Sequence, residues 1–426
     1  MAYNISILDL NDDCLTLIIT ELNWCDQTNL KYTCQRFKEL VKLHWRLKYK
    51  KWSRKNAVGQ RAEYAWLIFQ LREIVQVLDV DYLSSREMQL LSSTCFPNVY
   101  DLTVNISNNN GKLTEYAATK VLSIGFPRLV KLKLQTNMWL DFKTCENLTD
   151  LELHPRRCSC TLDFKSLFQQ LKLVKFIFSY CERSYIEYTR SDIETIVCCS
   201  SLQEVILNES ILKTIIEQLK CLPKLRVLGC FAYMSGTSED YYVFDKIVEN
   251  FGSNICALNS QYIHTGFPMY TLKYMPNLRK WTMSDLILDQ FKATKTQLES
   301  IHEWIVFNKK TLATAPSEQH VSRIGEQSFE LMEFINDCVN LQTVGFPLDW
   351  VTSGYVNLHE LHFLFRSRRR VLEVMCIEED TTKYVSKNLK ELKQFQDILN
   401  FKFLKQNLGN DLDYEVYKLF TITLLN

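Results

Sequence analysis

The stretch FPRLVKLKLQTN, residues 126–137, places Leu129, Leu132 and Leu134 at steps of three and two. Residues two apart on an extended chain share a face, so Leu132 and Leu134 point one way while Lys131 and Lys133 point the other. Leu129 turns inward from the loop before them. The same steps recur at Val99-Leu102-Val104, Leu148-Leu151-Leu153, Leu173-Phe176-Phe178, Leu202-Val205-Leu207 and Leu225-Leu228-Cys230. They return at Leu278-Trp281-Met283, Ile301-Trp304-Val306, Leu341-Val344-Phe346, Leu358-Leu361-Phe363 and Leu372-Met375-Ile377. Ile255-Leu258-Ser260 is a degraded copy, and Val75-Leu78-Val80 offers an early one. Pro or Cys often opens the unit, as in FPNV, FPRL, LPKL and MPNL.

From Val99 to Leu225 the first positions step by 30, 19, 25, 29 and 23 residues. Amphipathic helical stretches fall between the strands, at Asp192 to Cys199, Ser210 to Lys220, Tyr242 to Phe251 and Gly325 to Cys338. One strand and one return helix in each ~20–30 residues resembles the leucine-rich repeat, whose units stack because none buries its apolar face alone. A single Leu-x-x-Leu-x-Leu fits an ordinary helix equally well. Eleven full copies, most at this spacing, do not. The expected class is therefore α/β: a leucine-rich-repeat solenoid, a curved parallel sheet with outer helices, over residues 96–380. Residues 51–95 read as linker helices with a possible first repeat. Residues 381–426 read as a helical C-terminal cap carrying Leu389, Leu392 and Phe395 on one face. The 40-residue step from Ile301 to Leu341 assigns a long loop to Thr311 through Ser322.

Composition agrees with a chain that buries a large core. Hydrophobic residues are 46% of 426, and the 11 Gly and 8 Pro exclude collagen-like and low-complexity classes. Fifty Lys and Arg against 49 Asp and Glu leave a net charge of +1, which opposes general nucleic-acid or anionic-membrane binding. Fifteen Cys show no paired spacing, and Cys34, Cys145, Cys221, Cys230 and Cys338 sit beside apolar residues as small hydrophobes. The opening MAYNISILDLNDD lacks a basic segment, so no signal peptide is expected, nor is a spanning helix. A cytoplasmic or nuclear location with reduced thiols follows.

Residues 5–50 stand apart from the repeat. Asn11 or Asp12 can cap a helix carrying Leu15, Ile18, Ile19 and Leu22, and Asp26 a short second one over Gln27 to Tyr32. A third helix runs from about Cys34 to Trp45, with Phe37, Leu40, Val41 and His44 at three- and four-residue steps. Three helices in some 40 residues are too few for an independent core. This segment resembles the F-box. Leu10, Asp13, Leu15, Ile18 and Leu22 match the first half of that family's pattern; Leu30, Cys34, Arg36 and Phe37 match the second, with Leu40 and Trp52 at trailing apolar positions. Asn11 replaces the family's Pro, and Thr33 the Val before Cys.

The resemblance implies a non-catalytic adaptor of an SCF (Skp–cullin–F-box) ubiquitin ligase. It would bind a Skp-type adaptor, and through it a cullin-RING complex, by Leu10, Leu15, Ile18, Leu22, Leu30, Cys34 and Phe37, residues that could equally serve the three-helix core. An unidentified protein substrate would then lie on the concave sheet face, among side chains that strand alternation turns away from the core. These are Lys131, Lys133, Asp150, Glu152, Lys280, Glu303 and Glu360, joined by His154, Lys175, Glu204, Thr282 and His362. A second reading remains open, a repeat scaffold or inhibitor whose helical N-terminus is only a cap.

Catalytic and cofactor motifs are absent: there is no Gly-x-Gly-x-x-Gly, Walker-type loop or Gly-x-Ser-x-Gly, so no cofactor is expected. His359-Glu360-Leu361-His362 is one residue short of a zincin helix, and on a strand its two His would face opposite ways. His154, Cys158 and Cys160 lack metal-ligand spacing. Arg366 and Arg368 to Arg370 read as a solvated turn.

Overall fold

The computed structural model describes residues 6–53, 69–80, 91, 93–106, 115–138, 140–155, 160–161, 163–180, 186–232, 242–260, 274–283, 298–306, 331–347, 350–351, 356–367, 372–378, 400–405 and 418–425. The chain is α/β, with mostly parallel strands and helices, in two compact units, Met1–Cys199 and Ser200–Asn426.

The first unit opens with helices α1 (Asp12–Glu21), α2 (Trp24–Lys31) and α3 (Gln35–Lys48). Asn11 caps α1 by accepting the Cys14 N–H. Asn23, rather than Asp26, caps α2; it accepts the Asp26 N–H at 3.0 Å, and Asp26 stands one turn inside, bonded back to the Asn23 amide. Leu15 and Ile19 meet Phe37, Leu40, Val41 and Trp45 in the apolar interior. Gln27 joins all three helices from within it. Its Nε2 donates to the carbonyls of Ile19 and Leu22 at 2.9 and 2.8 Å, and its Oε1 accepts the Trp45 indole N–H at 2.7 Å. At the end of α1, where carbonyls run out of helical partners, the Ile19 carbonyl thus adds the Gln27 amide to the Leu22 N–H it already accepts, and the Leu22 carbonyl gains a donor.

Strands β1 (Lys51–Ser53), β2 (Val77–Val80), β3 (Asp101–Ile106), β4 (Lys131–Thr136), β5 (Asp150–Pro155) and, after a short β6 (Cys160–Thr161), β7 (Lys175–Phe178) follow. β1 through β5 and β7 pair in parallel in that order, while β6 pairs with β8 (Ile186–Glu187) in a separate ribbon. The segment read as linker thus already contains two strands of the sheet, and Trp52 is a buried residue of β1. Leu78, Leu102, Leu132, Leu151 and Phe176 align in register, and so do Val80, Val104, Leu134, Leu153 and Phe178. All ten are buried, and the helix Phe164–Gln170 covers the end of the rows with Phe164 edge-on to Phe176 and Phe178.

Two recurring bonds join one strand to the next. At several units the residue just after the first position accepts two consecutive N–H groups of the following strand through one carbonyl: Gln76 from Tyr100 and Asp101, Tyr100 from Val130 and Lys131, Val130 from Thr149 and Asp150. The residue just before is often Asn, whose amide donates to a backbone carbonyl of the preceding unit. Asn98 reaches Glu73, Asn147 reaches Pro127, Asn277 reaches Ser253 and Asn340 reaches Glu299, at 2.7–3.3 Å. The turn before the strand closes when the first apolar residue donates its N–H three residues back, to Phe96, Phe126, Cys145, Leu222, Met275, Leu298 or Cys338, all buried. A small apolar thiol fits that slot, which accounts for Cys145 and Cys338. Cys221 is exposed, correcting its expected burial.

The second unit repeats the plan with β9 (Glu204–Asn208), β10 (Val227–Ala232), β11 (Ile255–Ser260), β12 (Lys280–Met283), β13 (Glu303–Val306), β14 (Thr343–Pro347), β15 (Glu373–Glu378), β16 (Asn400–Lys405) and β17 (Lys418–Leu424). Their order is β9-β10-β17-β11-β12-β13-β14-β15-β16. The C-terminal strand β17 therefore lies antiparallel between β10 and β11, with Ile422 fully buried between Leu228 and Leu258. This corrects the expected helical cap: β16 and β17 are strands, while Leu389, Leu392 and Phe395 lie outside the described residues, as do Thr311 through Ser322 and Arg368 to Arg370. The helix expected over Tyr242 to Phe251 is present with those bounds. A Cβ at Gly252 would stand 2.4 Å from the Tyr274 carbonyl, so only glycine admits that close approach.

Two copies of the pattern were misplaced. Leu358, Leu361 and Phe363 lie on a helix, Leu358–Ser367, with Phe363 exposed, because a step of three also satisfies one helical turn. In β15 the buried pair is Val374 and Cys376, aligned with Val344 and Phe346, so Met375 and Ile377 were read one residue out of phase.

Leu151→Ala should cost about 2–5 kcal/mol, the usual range for a truncated core leucine. Asn147→Ala should cost about 1 kcal/mol, one inter-strand hydrogen bond. Urea unfolding followed by tryptophan fluorescence checks both values and their order.

Candidate functional site

Two surfaces carry the residues singled out above, and each is built by the elements beneath it. On the helical module, Leu15 and Phe37 are core residues, 0% and 5% exposed, and are not available to a partner. Leu10, Leu22, Leu30 and Cys34 are half-buried, and Ile18 is exposed. Beside Ile18 stands Leu17, 67% exposed, with Cys14 one turn earlier on the same outward face of α1. Ile7 and Leu8 are also exposed. The turn holding them is fixed by Arg36, whose guanidinium donates to the carbonyls of Leu8 and Leu10 at 2.5 and 2.7 Å and to Asp12 Oδ1 at 2.7 Å. Sequence reasoning missed Ile7, Leu8 and Leu17. Leu17 signals itself by falling off the stripe formed by Leu15 and Ile19 on α1, while Ile7 and Leu8 precede that helix on the turn Ile7–Asp9.

On the sheet, Lys131, Lys133, Asp150 and Glu152 lie side by side across β4 and β5, on the face opposite the apolar rows. Lys133 Nζ is 2.7 Å from Glu152 Oε1, and that oxygen is 2.6 Å from His154 Nε2. His154 Nδ1 continues the chain to Ser179 Oγ. Burial would raise the Glu152 pKa, but the hydrogen bond and charge of His154, with Lys133 behind them, lower it to about 2. Burial raises that of Asp101, in line with Lys131 and Asp150, despite the nearby Lys131. In the second unit Lys280 Nζ is 2.6 Å from Glu303 Oε1 across β12 and β13. Glu360 does not join this face; with His359 and His362 it is on the helix Leu358–Ser367, which corrects its placement on a strand.

Carboxylate, imidazole and hydroxyl in sequence could activate a nucleophile. The Ser179 amide, however, is engaged by the Leu153 carbonyl at 3.1 Å and does not itself serve an oxyanion. The buried thiols are equally unsuited to attack: burial pushes Cys145 up to about 11, Cys376 up to about 12 and Cys230 well above the ordinary range. Among the described residues no three His, Cys, Asp or Glu side chains group to hold a metal, and no helix is long and apolar enough to cross a membrane. What the sheet face offers is a polar, two-signed surface of charges paired across strands.

No protein-family model matches the chain, and no curated protein matches it.

Because Glu152 titrates lower folded than its ordinary 4.5, its contribution to stability is complete above pH 4.5 and is lost as pH falls toward about 2. Glu152→Gln should flatten that acid limb, by on the order of 1–3 kcal/mol between the two ends. Stability measured against pH in wild type and variant checks this.

Proposed function

We propose that the chain is the substrate-recognition adaptor of an SCF-type ubiquitin ligase, built as an F-box module followed by leucine-rich repeats. The observation that carries this reading is the outward apolar face of a helical module too small to need one. Leu17 and Ile18 stay exposed although Leu15 and Ile19 already supply the inner side of α1. Exposed apolar side chains grouped on one helix face suit a permanent partner. The match of Leu10, Leu15, Ile18, Leu22, Leu30, Cys34, Arg36 and Phe37 to the F-box pattern names that partner as a Skp-type adaptor and, through it, a cullin-RING complex. Arg36 then acts as the positioning residue for the turn that presents Ile7 and Leu8.

The repeats would hold a protein substrate on the open face of their strands, by Lys131, Lys133, Asp150 and Glu152 in the first unit and, separately, by Lys280 and Glu303 in the second. Binding there exchanges existing cross-strand pairs for pairs with the substrate, which favours specificity over affinity. The chain supplies no chemistry itself. It raises the effective concentration of a substrate lysine beside a charged E2 enzyme, leading to ubiquitination and proteasomal degradation in the cytoplasm or nucleus.

A pull-down of wild type and the Leu17→Asp, Ile18→Asp double variant, probed for the Skp adaptor and cullin, tests the reading. Wild type should retain both, and the variant should lose at least tenfold while keeping its melting temperature, since neither side chain is in the core. A wild type that retains neither overturns it and leaves a repeat scaffold.

A further inference from the structure

A cleft of about 470 Å³ lies in the first unit between α3 and the segment 69–74, with Lys31 at the end of α2 and Asn98 on its rim. Lys42, Trp45 and Arg46 face it from α3 at steps of three and one, and Arg72 faces it from across the cleft. Among the described residues its walls carry four cations and one carboxylate, Glu73, in a chain whose overall charge is only +1. Glu73 offsets part of this charge, in a 3.9 Å ion pair with Arg72 and by attraction to Lys31, and leaves the walls with a surplus of three positive charges. Lys42 and Arg46 make no ion pair among the described residues.

Two of the four cations, Lys31 and Arg72, are held in place. Lys31 Nζ donates to Gln70 Oε1 at 3.0 Å and lies 4.9 Å from the centre of the Trp45 ring. Trp45 itself is fully buried and fixed by Gln27. The Arg72 guanidinium stacks over Phe69 at 4.7 Å. Asn98 pins the segment by donating to the Glu73 carbonyl. Burial, then repulsion from Lys42 and Lys38, lowers the pKa of Lys31, so the charges oppose one another as they stand. Like charges gathered in a concave site raise the local concentration of a counter-ion, and rigid donors lower the cost of binding it.

We infer that this cleft is a binding site for a small anion carrying more than one phosphate group, bridged between α3 and the 69–74 segment by Lys31, Lys42, Arg46 and Arg72. Several phosphates fit better than one because the cations come from separate segments, Lys31 from α2, Lys42 and Arg46 from α3 and Arg72 from the segment 69–74, and guanidinium groups take phosphate oxygens in pairs. The inference is independent of the adaptor reading, for it uses none of the apolar residues on α1.

The test uses the full chain, with inorganic pyrophosphate titrated by calorimetry at about 100 mM salt, where long-range attraction is screened. Wild type should bind saturably and melt several degrees higher with pyrophosphate. Lys42→Glu with Arg46→Glu should bind at least tenfold more weakly, yet melt no lower than wild type without the anion, because repulsion is relieved. Co-sedimentation with phosphatidylcholine vesicles carrying a bisphosphorylated inositol lipid gives the source: pelleting of wild type but not the variant assigns a lipid headgroup, and pyrophosphate binding without pelleting assigns a soluble anion. Failure of folded wild type to bind pyrophosphate, or equal binding by the variant, overturns the proposal.

Discussion

Register is the constraint on which the rest of this structure depends. From Lys50 to Thr149 one backbone carbonyl per unit accepts two successive N–H groups from the next strand, so those neighbouring strands cannot slip by a residue without breaking both bonds. A one-residue slip would also turn each apolar row outward. The consequence is additive: Leu102, Leu132 and Leu151 bury one another only because Tyr100 and Val130 set where each following strand begins. The asparagine amides secure the same junction from the other side of the first apolar residue, and the turn closed on Phe96, Phe126 or Cys145 fixes the approach. Polar bonds choose the register, and apolar burial supplies most of the stability.

This division explains what the sequence showed and what it hid. Apolar rows repeat within a few residues, so the strands from Val99 to Val306 were readable from spacing alone. The same spacing misled at Leu358, Leu361 and Phe363, where a helix satisfies it too. At 372–377 adjacent apolar residues offered two phases, and only the partner strand selects Val374 and Cys376. The asparagine bonds span about 20 residues or more and have no local signature beyond an Asn before the first position, visible in FPNV, CENL, MPNL and CVNL. Hardest to foresee was β17. Its place between β10 and β11 depends on a gap far away in the chain, which Ile422 fills, and nothing in its own residues names that gap.

The candidate site residues divide along similar lines. Strand alternation correctly turned Lys131, Lys133, Asp150, Glu152, Lys280 and Glu303 away from the apolar rows, because alternation is a property of the backbone. It could not tell that Lys133 and Lys280 pair with the next strand's carboxylate, since that depends on register. On α1 the periodicity found the buried stripe of Leu15 and Ile19 but set too little weight on what lay outside it. Ile7, Leu8 and Leu17 are informative because the module has no internal use for them.

The helical module and the sheet are joined through one short connection. The Lys50 carbonyl, two residues past the end of α3, accepts the N–H groups of Gln76 and Val77, just as later units do for their successors. The module is therefore attached at the position a preceding repeat would hold, and β1 extends the sheet to it. Gln27 ties α1 and α2 to Trp45, and Lys31 rests against the same Trp45 while reaching Gln70. α3 is thus tied both to the helical core and to the segment 69–74 that leads into β2. An anion bridging Lys42 and Arg46 to Arg72 would stiffen this joint without touching either the outward face of α1 or the charged face of β4 and β5. Under the proposed function, the fold would keep a partner face on α1, a substrate face on β4 and β5 and the junction between them as three separate surfaces.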